Sequence, residues 1–295
     1  MANKILLLGK NGQVGWELQR SLAPVGQLLA LDRHDQGGDL TDLKSLQKLI
    51  ADYQPHIIVN ATAYTAVDKA ESEAELALQI NGKAVEFLAE QAKQYNSWLI
   101  HYSTDYVFDG SGETARLEAA KTNPLNIYGK TKLVGEQAIQ QLVDNYLIFR
   151  TSWVYATHGN NFIKTMLRLA KEREELAIIN DQVGAPTGAE LIADITAHAI
   201  KQLKPELSGI YHLTASGEAS WYDFANVIFD EAKLYIADQL KVKNVNPITT
   251  DAYPTPAQRP LNSRLATTKL KTAFNVTLPD WQLGVKRVIA ELLTE

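Results

Sequence analysis

Cysteine is missing from all 295 residues, which excludes a disulfide framework, a thiol nucleophile and a thiolate metal site. A surplus of positive charge is missing too. Lys and Arg total 29 against 34 Asp and Glu, a net charge of −5, and the basic residues are scattered. That argues against a nucleic-acid-binding face and against a polybasic membrane patch. Long apolar runs are equally scarce. The first, Ile5 to Leu8, ends at a glycine after four residues, shorter than a secretory leader and far short of the ~20 residues of a membrane span. No internal repeat or low-complexity linker breaks the chain. What remains is 45% hydrophobic and 21% charged, ordinary for a soluble globular protein. The expectation is a cytoplasmic protein that partners neither nucleic acid nor membrane.

Short apolar runs alternate with helical spacing through the first half. Lys4–Leu8 is followed by a glycine-rich turn and a helical pattern through Leu22; Gln27–Leu31 is followed by a polar loop and a periodic stretch at Leu43–Ile50. His56–Asn60 and Trp98–Tyr102 read as the third and fourth strands, with helical spacing at Ala84–Tyr95 between them, and Tyr146–Thr151 reads as the fifth. Apolar strands alternating with helices predict an α/β fold, a doubly wound parallel sheet of Rossmann type. Ligands of such sheets bind beyond the carboxyl ends of the strands. The second half is less regular. Ala170–Thr187 holds a charge-rich helix end and a Gly/Pro turn, and helices are expected at Ala189–Lys201, Trp221–Ala237 and Trp281–Leu293. Asn244–Arg264 carries four prolines and reads as an extended loop. The expected division is a dinucleotide-binding domain over 1–155 and a smaller, mainly substrate-binding lobe over 156–295, with some segments returning to the core.

Residues with chemistry fall where those strands end. Gly9, Gly12 and Gly15 follow the first strand, and Gln13 and Val14 open the helix behind them. Such glycines let a pyrophosphate approach backbone N–H groups at a helix start, although a simple turn could use them as well. Asp32 ends the second strand, where an acid can hold ribose hydroxyls. Arg33 follows and could pair with a 2′-phosphate, so NADH and NADPH both stay open. Asp39 and Leu40 lie where a loop would meet the adenine, but an Asp in a turn is also a local hydrogen-bonding device. After the third strand, Ala61 and Ala63 are small enough for a cofactor to cross, or for plain close packing. The fourth strand runs into Ser103, Thr104 and Asp105, whose oxygens could reach a substrate carbonyl. Tyr128 and Lys132 are spaced as neighbours on one helix face. An ammonium there favours the phenolate, and a tyrosine tuned in this way can exchange a proton with a carbonyl or alcohol oxygen. Any amphipathic helix can show the same spacing.

Taken in order, glycine loop, acid, small residues, hydroxyl and Tyr-x-x-x-Lys resemble the extended short-chain dehydrogenase/reductase family over essentially the whole chain. The stretches at 65–71, 101–110, 124–132, 149–155, 180–187 and 259–265 carry the resemblance beyond the glycines. It implies NADH or NADPH as cofactor and a dTDP-sugar as substrate, with hydride passing to a C4 ketone. Tyr128 would be the proton donor, with Thr104 bound to the same oxygen. Lys132 would depress the Tyr128 pKa and hold the nicotinamide ribose. Tyr64 and Thr65 join Ala61 and Ala63 as cofactor contacts. The resemblance places substrate on Asp105 and Trp153, with Arg259 and Arg264 available to a diphosphate unless they are surface arginines, and Gln182, Gly184 and Thr187 in the pocket wall. Glu17, Glu190 and Glu291 align with acids that hold Mg²⁺ at a dimer interface in some relatives, so a homodimer with a structural Mg²⁺ is a further expectation; exposed helix glutamates are more often simply solvated. Two alternatives stand beside the reductase: a nucleotide-sugar epimerase or dehydratase of the same fold, and a non-catalytic regulatory subunit that binds dinucleotide.

Overall fold

A computed structural model describes residues 3–294. The five apolar runs form strands β1 (Lys4–Leu8), β2 (Gln27–Leu31), β3 (Ile57–Asn60), β4 (Trp98–Thr104) and β5 (Tyr146–Thr151). They pair in parallel in the order β5-β4-β3-β1-β2, and Gly209–His212 adds a sixth parallel strand beside β5. β1 lies between β2 and β3, so successive connections leave it in opposite directions. A crevice therefore opens at its carboxyl end, the position where such sheets bind ligands.

Side chains alternate across the sheet because the pleat has a period of two residues. Ile5 and Leu7 face the helices Gln13–Leu22 and Ala189–Ile200; Leu6 and Leu8 face Leu43–Tyr53, Ala84–Gln94 and Ile127–Leu142. All four are fully buried, and each such side chain contributes about 1.5–3 kcal/mol of hydrophobic stabilisation. A separate apolar cluster joins Ile163, Met166, Phe224, Ile228, Trp281 and Val285 from the later helices.

The structure departs from the sequence reading mainly in the second half. Phe162–Glu172 is a helix, capped by the Asn161 side chain, which accepts from the Lys164 N–H. Glu175–Ile179 and Asn244–Ile248 pair in parallel as a two-stranded sheet, so the expected proline-rich loop begins as a strand. Pro247 is tolerated because that strand has a partner on one side only. Gly209–His212 had no apolar run to announce it; its first two residues are only half-buried. Among the described residues no helix is long and apolar enough to cross a membrane.

Candidate active site

The turn after β1 is shaped by backbone crowding. Gly9 has φ +90°, in the left-handed region that favours glycine, and a Cβ on Gly15 would lie 1.9 Å from the Gly9 carbonyl oxygen. The helix behind it starts at Gly12, where no side chain caps the first N–H groups, so they face the crevice available to an anion. The Val14 side chain packs against the core, and Gln13 Oε1 accepts from Asn161 Nδ2 at 3.0 Å. Asn81, buried in the helical segment before Ala84, fixes the next wall. Its carboxamide pairs with the Tyr64 N–H at 2.8 Å and the Tyr64 carbonyl at 3.1 Å, which holds the Ala61–Thr65 segment across the strand ends.

At β2 the acid is already engaged. Asp32 accepts from Asn11 Nδ2 through one oxygen and from the His34 N–H, at 2.8 Å, through the other. Arg33 is exposed beside it, with Nε 3.3 Å from His34 Nε2. Lys10 is paired with Asp35 at 2.6 Å. Asp39 accepts from the Thr41 N–H and hydroxyl, both at 2.8 Å, so it is the local turn device its residue type allows. The Leu40 side chain is 4% exposed and belongs to the core beside Leu46 and Ile50. It does not face the crevice, because the turn directs it inward.

Thr104, Asp105, Tyr128 and Lys132 come together at the carboxyl end of β4. The helix Ile127–Leu142 starts at Asn126, whose side chain accepts from the Gly129 N–H at 2.8 Å and donates to the Gln258 carbonyl at 2.7 Å. Its fixing ion pair is buried: Arg150 on β5 makes two hydrogen bonds to the Glu136 carboxylate, at 2.9 and 2.6 Å. That fork sets the helix against the sheet, with Tyr128 and Lys132 both toward β4. Lys132 Nζ donates to the Tyr102 carbonyl at 2.6 Å and lies 3.1 Å from His101 Nε2.

The electrostatics differ from the sequence expectation. Tyr128 keeps part of its ring exposed, yet burial pushes its phenol up to about 12; the Thr104 hydroxyl beside it acts in the opposite direction. The Lys132 amine is turned to β4, where it bonds the Tyr102 carbonyl. Burial pushes Lys132 down to about 8, against the pull of Glu136. Asp105 is pushed up to about 6 by burial, opposed by the Ser263 and Thr104 hydroxyls. Ser103 Oγ, Asp105 Oδ2 and Thr151 Oγ1 are buried without a hydrogen-bond partner. Thr151 was not singled out from sequence, since a hydroxyl at a strand end is common and only the register Thr104–Thr151 places it beside Thr104.

Beyond β4 lies a cavity of about 770 Å³ whose wall includes Tyr106, Arg173, Gln182, Trp221, Tyr253 and Arg259. Arg259 pairs with Asp68 at 2.8 Å. Arg264 is turned away to Glu218 at 2.6 Å and does not line the cavity. Trp153 has φ +48° and stacks on Trp221, ring centroids 3.7 Å apart, so it reaches the cavity wall through that partner. Gly184 packs against the Trp153 ring and Thr187 is buried behind it. Arg173, Trp221 and Tyr253 are wall residues that sequence reasoning missed; they come from three separated segments with no shared spacing.

Glu17, Glu190 and Glu291 do share a cavity, of about 270 Å³. Two arginines bridge them: Arg287 reaches Glu190 at 2.7 Å and Glu291 at 2.9 Å, while Arg20 reaches Glu17 at 3.5 Å. Among the described residues no group of three His, Cys, Asp or Glu could hold a metal ion. Within one chain the expected Mg²⁺ cage is therefore not formed, because guanidinium groups already neutralise the carboxylates.

A family model described as RmlD substrate binding domain matches residues 3–294. A dTDP-4-dehydrorhamnose reductase from Escherichia coli (strain K12) is 58% identical over 294 residues, covering 98% of each chain. A solved dTDP-4-dehydrorhamnose reductase from Bacillus anthracis str. Ames, in complex with NADP, superposes with a TM-score of 0.90 at 35% identity, over 99% of this chain and 100% of that one. The reductase from Clostridium acetobutylicum ATCC 824 does so with a TM-score of 0.90 at 37% identity, with the same coverage.

Proposed function

The chain belongs to the family described as the RmlD substrate binding domain, and from that premise we propose that it is an NADPH-dependent reductase. Its substrate is dTDP-4-dehydro-6-deoxy-L-mannose, its product is dTDP-L-rhamnose, a polysaccharide precursor, and the bond it changes is the C4 carbonyl. One observation carries the reading beyond family membership: the Thr104 hydroxyl and Tyr128 phenol meet at the end of β4, and Tyr106, packed edge-on against the Tyr128 ring at 5.6 Å, lines the 770 Å³ cavity. The cradle fits a dinucleotide, since a Cβ on Gly9 or Gly15 would strike neighbouring backbone at 2.9 or 1.9 Å and open the tight turn that leads into an uncapped helix start. When bound, NADPH supplies the hydride.

The chain's own residues do the rest. The Gln13 and Val14 N–H groups, uncapped at the helix start, hold the diphosphate. Arg33, exposed beside the end of β2, offers a fork to a 2′-phosphate, which favours NADPH over NADH. Lys132 meets the nicotinamide ribose. Tyr128, holding its proton far above neutral pH, gives it to the C4 oxygen as negative charge develops there, while Thr104 hydrogen-bonds the same atom. Asp105 and the unpartnered Thr151 hydroxyl face the sugar, and Arg259 meets the dTDP diphosphate. This assigns cofactor mainly to residues 1–155 and substrate mainly to 156–295. A homodimer through the Glu17, Glu190 and Glu291 face belongs to the same reading; Mg²⁺ there needs oxygen ligands from the second chain, and its role is structural.

The epimerase and dehydratase alternative recycles its dinucleotide, and the regulatory alternative has no use for Thr104, Tyr128 and Lys132. Absorbance of NADPH and of NADH, followed separately as the 4-keto sugar nucleotide is added with and without chelator, tests the proposal. Consumption equal to the sugar added, faster with NADPH and indifferent to chelator, is expected. Conversion of the sugar with no net consumption would assign the chain to the recycling enzymes instead.

A further inference from the structure

His101 belongs to no step above, yet it is fully buried in a chain of contacts that ends on Lys132. Asn60 and His101 are 0% exposed and Lys132 is 1% exposed, so bulk solvent does not reach them. The carboxamide of Asn60 can be oriented from its neighbours. Its Oδ1 accepts from the Thr62 N–H at 3.1 Å and the Thr62 hydroxyl at 2.5 Å, and a main-chain N–H can only donate. Asn60 Nδ2 therefore donates to His101 Nδ1, at 3.2 Å. With Nδ1 an acceptor, the proton of the neutral ring is assigned to Nε2. That N–H points at Lys132 Nζ, 3.1 Å away.

An ammonium has three donors and no acceptor, so a charged Lys132 would set donor against donor at this contact. A free amine closes the chain: it accepts from His101 Nε2–H and donates to the Tyr102 carbonyl at 2.6 Å. Other groups around the lysine do not change the count. Glu136, one turn later, spends both oxygens on Arg150 from β5. Tyr128, one turn earlier, is a neutral phenol, and Asn81, from the segment packed on the other side, is uncharged and bonded to Thr131 at 3.2 Å. Asp105 lies beyond Tyr128, beside Thr104.

We infer that His101 is a positioning residue which withholds an acceptor from Lys132, favouring the uncharged amine until bound dinucleotide supplies ribose oxygens to it. NADPH binding then brings a proton onto Lys132. This rests on the reading that Lys132 meets the ribose, but it concerns binding and not turnover. Burial, which disfavours charge on both His101 and Lys132, acts in the same direction.

Titration calorimetry of NADPH into the full-length protein, in two buffers of different ionisation enthalpy, counts the protons taken up. At about pH 8.5 roughly one half to one proton should be taken up per NADPH. In His101→Gln a carboxamide oxygen can turn to the lysine, the amine is charged beforehand, and uptake should fall at least threefold; His101→Asn serves the same purpose if the first variant does not fold. A merely structural histidine would weaken binding and leave the proton count as it is. No uptake by the unaltered protein, or an unchanged count in a folded variant that still binds, overturns the inference. Because no sugar is present, failure of ketone reduction with normal uptake would sink only the proposed function.

Discussion

Lys132 donates to the main-chain carbonyl of Tyr102 at 2.6 Å, and its amine is held against β4 and not against the phenol of Tyr128 one turn away. The two side chains share a helix face, but burial governs their ionisation in opposite directions. The phenol, pushed up to about 12, keeps its proton; the amine, pushed down to about 8, loses its own more easily. A tyrosine in this state is suited to giving a proton rather than taking one.

Tyr128→Phe removes that proton and little else. The variant should bind NADPH within a few-fold of the unaltered protein and lose about 10²–10⁴ in kcat, the usual worth of a positioned general acid. Fluorescence titration with NADPH and steady-state turnover on the 4-keto sugar separate the two effects. Turnover at the normal rate would remove Tyr128 from the proton-donor role.

Asp105 makes stability depend on pH with an unusual sign. Its folded pKa, about 6, lies above the ordinary 3.8, so between those values the folded protein holds more protons than the unfolded chain. The stability is fully present below about pH 4 and is lost as pH rises through 6. The loss is on the order of 3 kcal/mol. Asp105→Asn should therefore be more stable than the unaltered protein at pH 7, with that advantage shrinking toward pH 4, while its KM for the sugar rises. Urea midpoints at the two pH values check it; an equal difference at both would contradict the assignment.

Glu136→Ala would leave Arg150 charged in a site where both side chains are almost inaccessible, 3% and 0% exposed. Removing one partner of such a pair destabilises by about 3–5 kcal/mol. Turnover should fall as well, since the helix carrying Tyr128 loses its tie to β5. Denaturant unfolding and kcat on the same preparation read both; loss of stability with full activity would show that the pair does not position the helix.

Much of the fold was legible because burial on both faces leaves a clear trace. Leu6, Leu7 and Leu8 are apolar in succession since a central parallel strand has no solvent side. Gly209–His212 lacks that trace because it is an edge strand with half-buried residues. Tyr128 and Lys132 were legible from spacing, yet the direction in which the amine turns was not. It depends on the Tyr102 carbonyl, 30 residues away in sequence, and no local pattern reports where an amine at the end of four methylenes will turn. Arg264 fails for a similar reason: Glu218, 46 residues earlier, claims its guanidinium. The glutamates at 17, 190 and 291 do meet, but the arginines that bridge them could not be read from their own positions.

Arg259 and Arg264 should behave differently on substitution. Arg259 lines the large cavity and Arg264 does not. Arg259→Ala should raise KM for the dTDP-sugar about 10–100-fold with kcat little changed, as expected for lost uniform binding of a diphosphate. Arg264→Ala should alter KM by less than about threefold. Comparable losses in the two would mean that the diphosphate lies elsewhere.

Hydride transfer itself can be followed with NADPH deuterated at nicotinamide C4 and the unaltered protein. The deuterium should appear at C4 of the sugar, one per NADP⁺ released, in dTDP-L-rhamnose as the sole sugar product. With both hydrogens at nicotinamide C4 replaced by deuterium, sugar converted without deuterium at its own C4 would contradict the account.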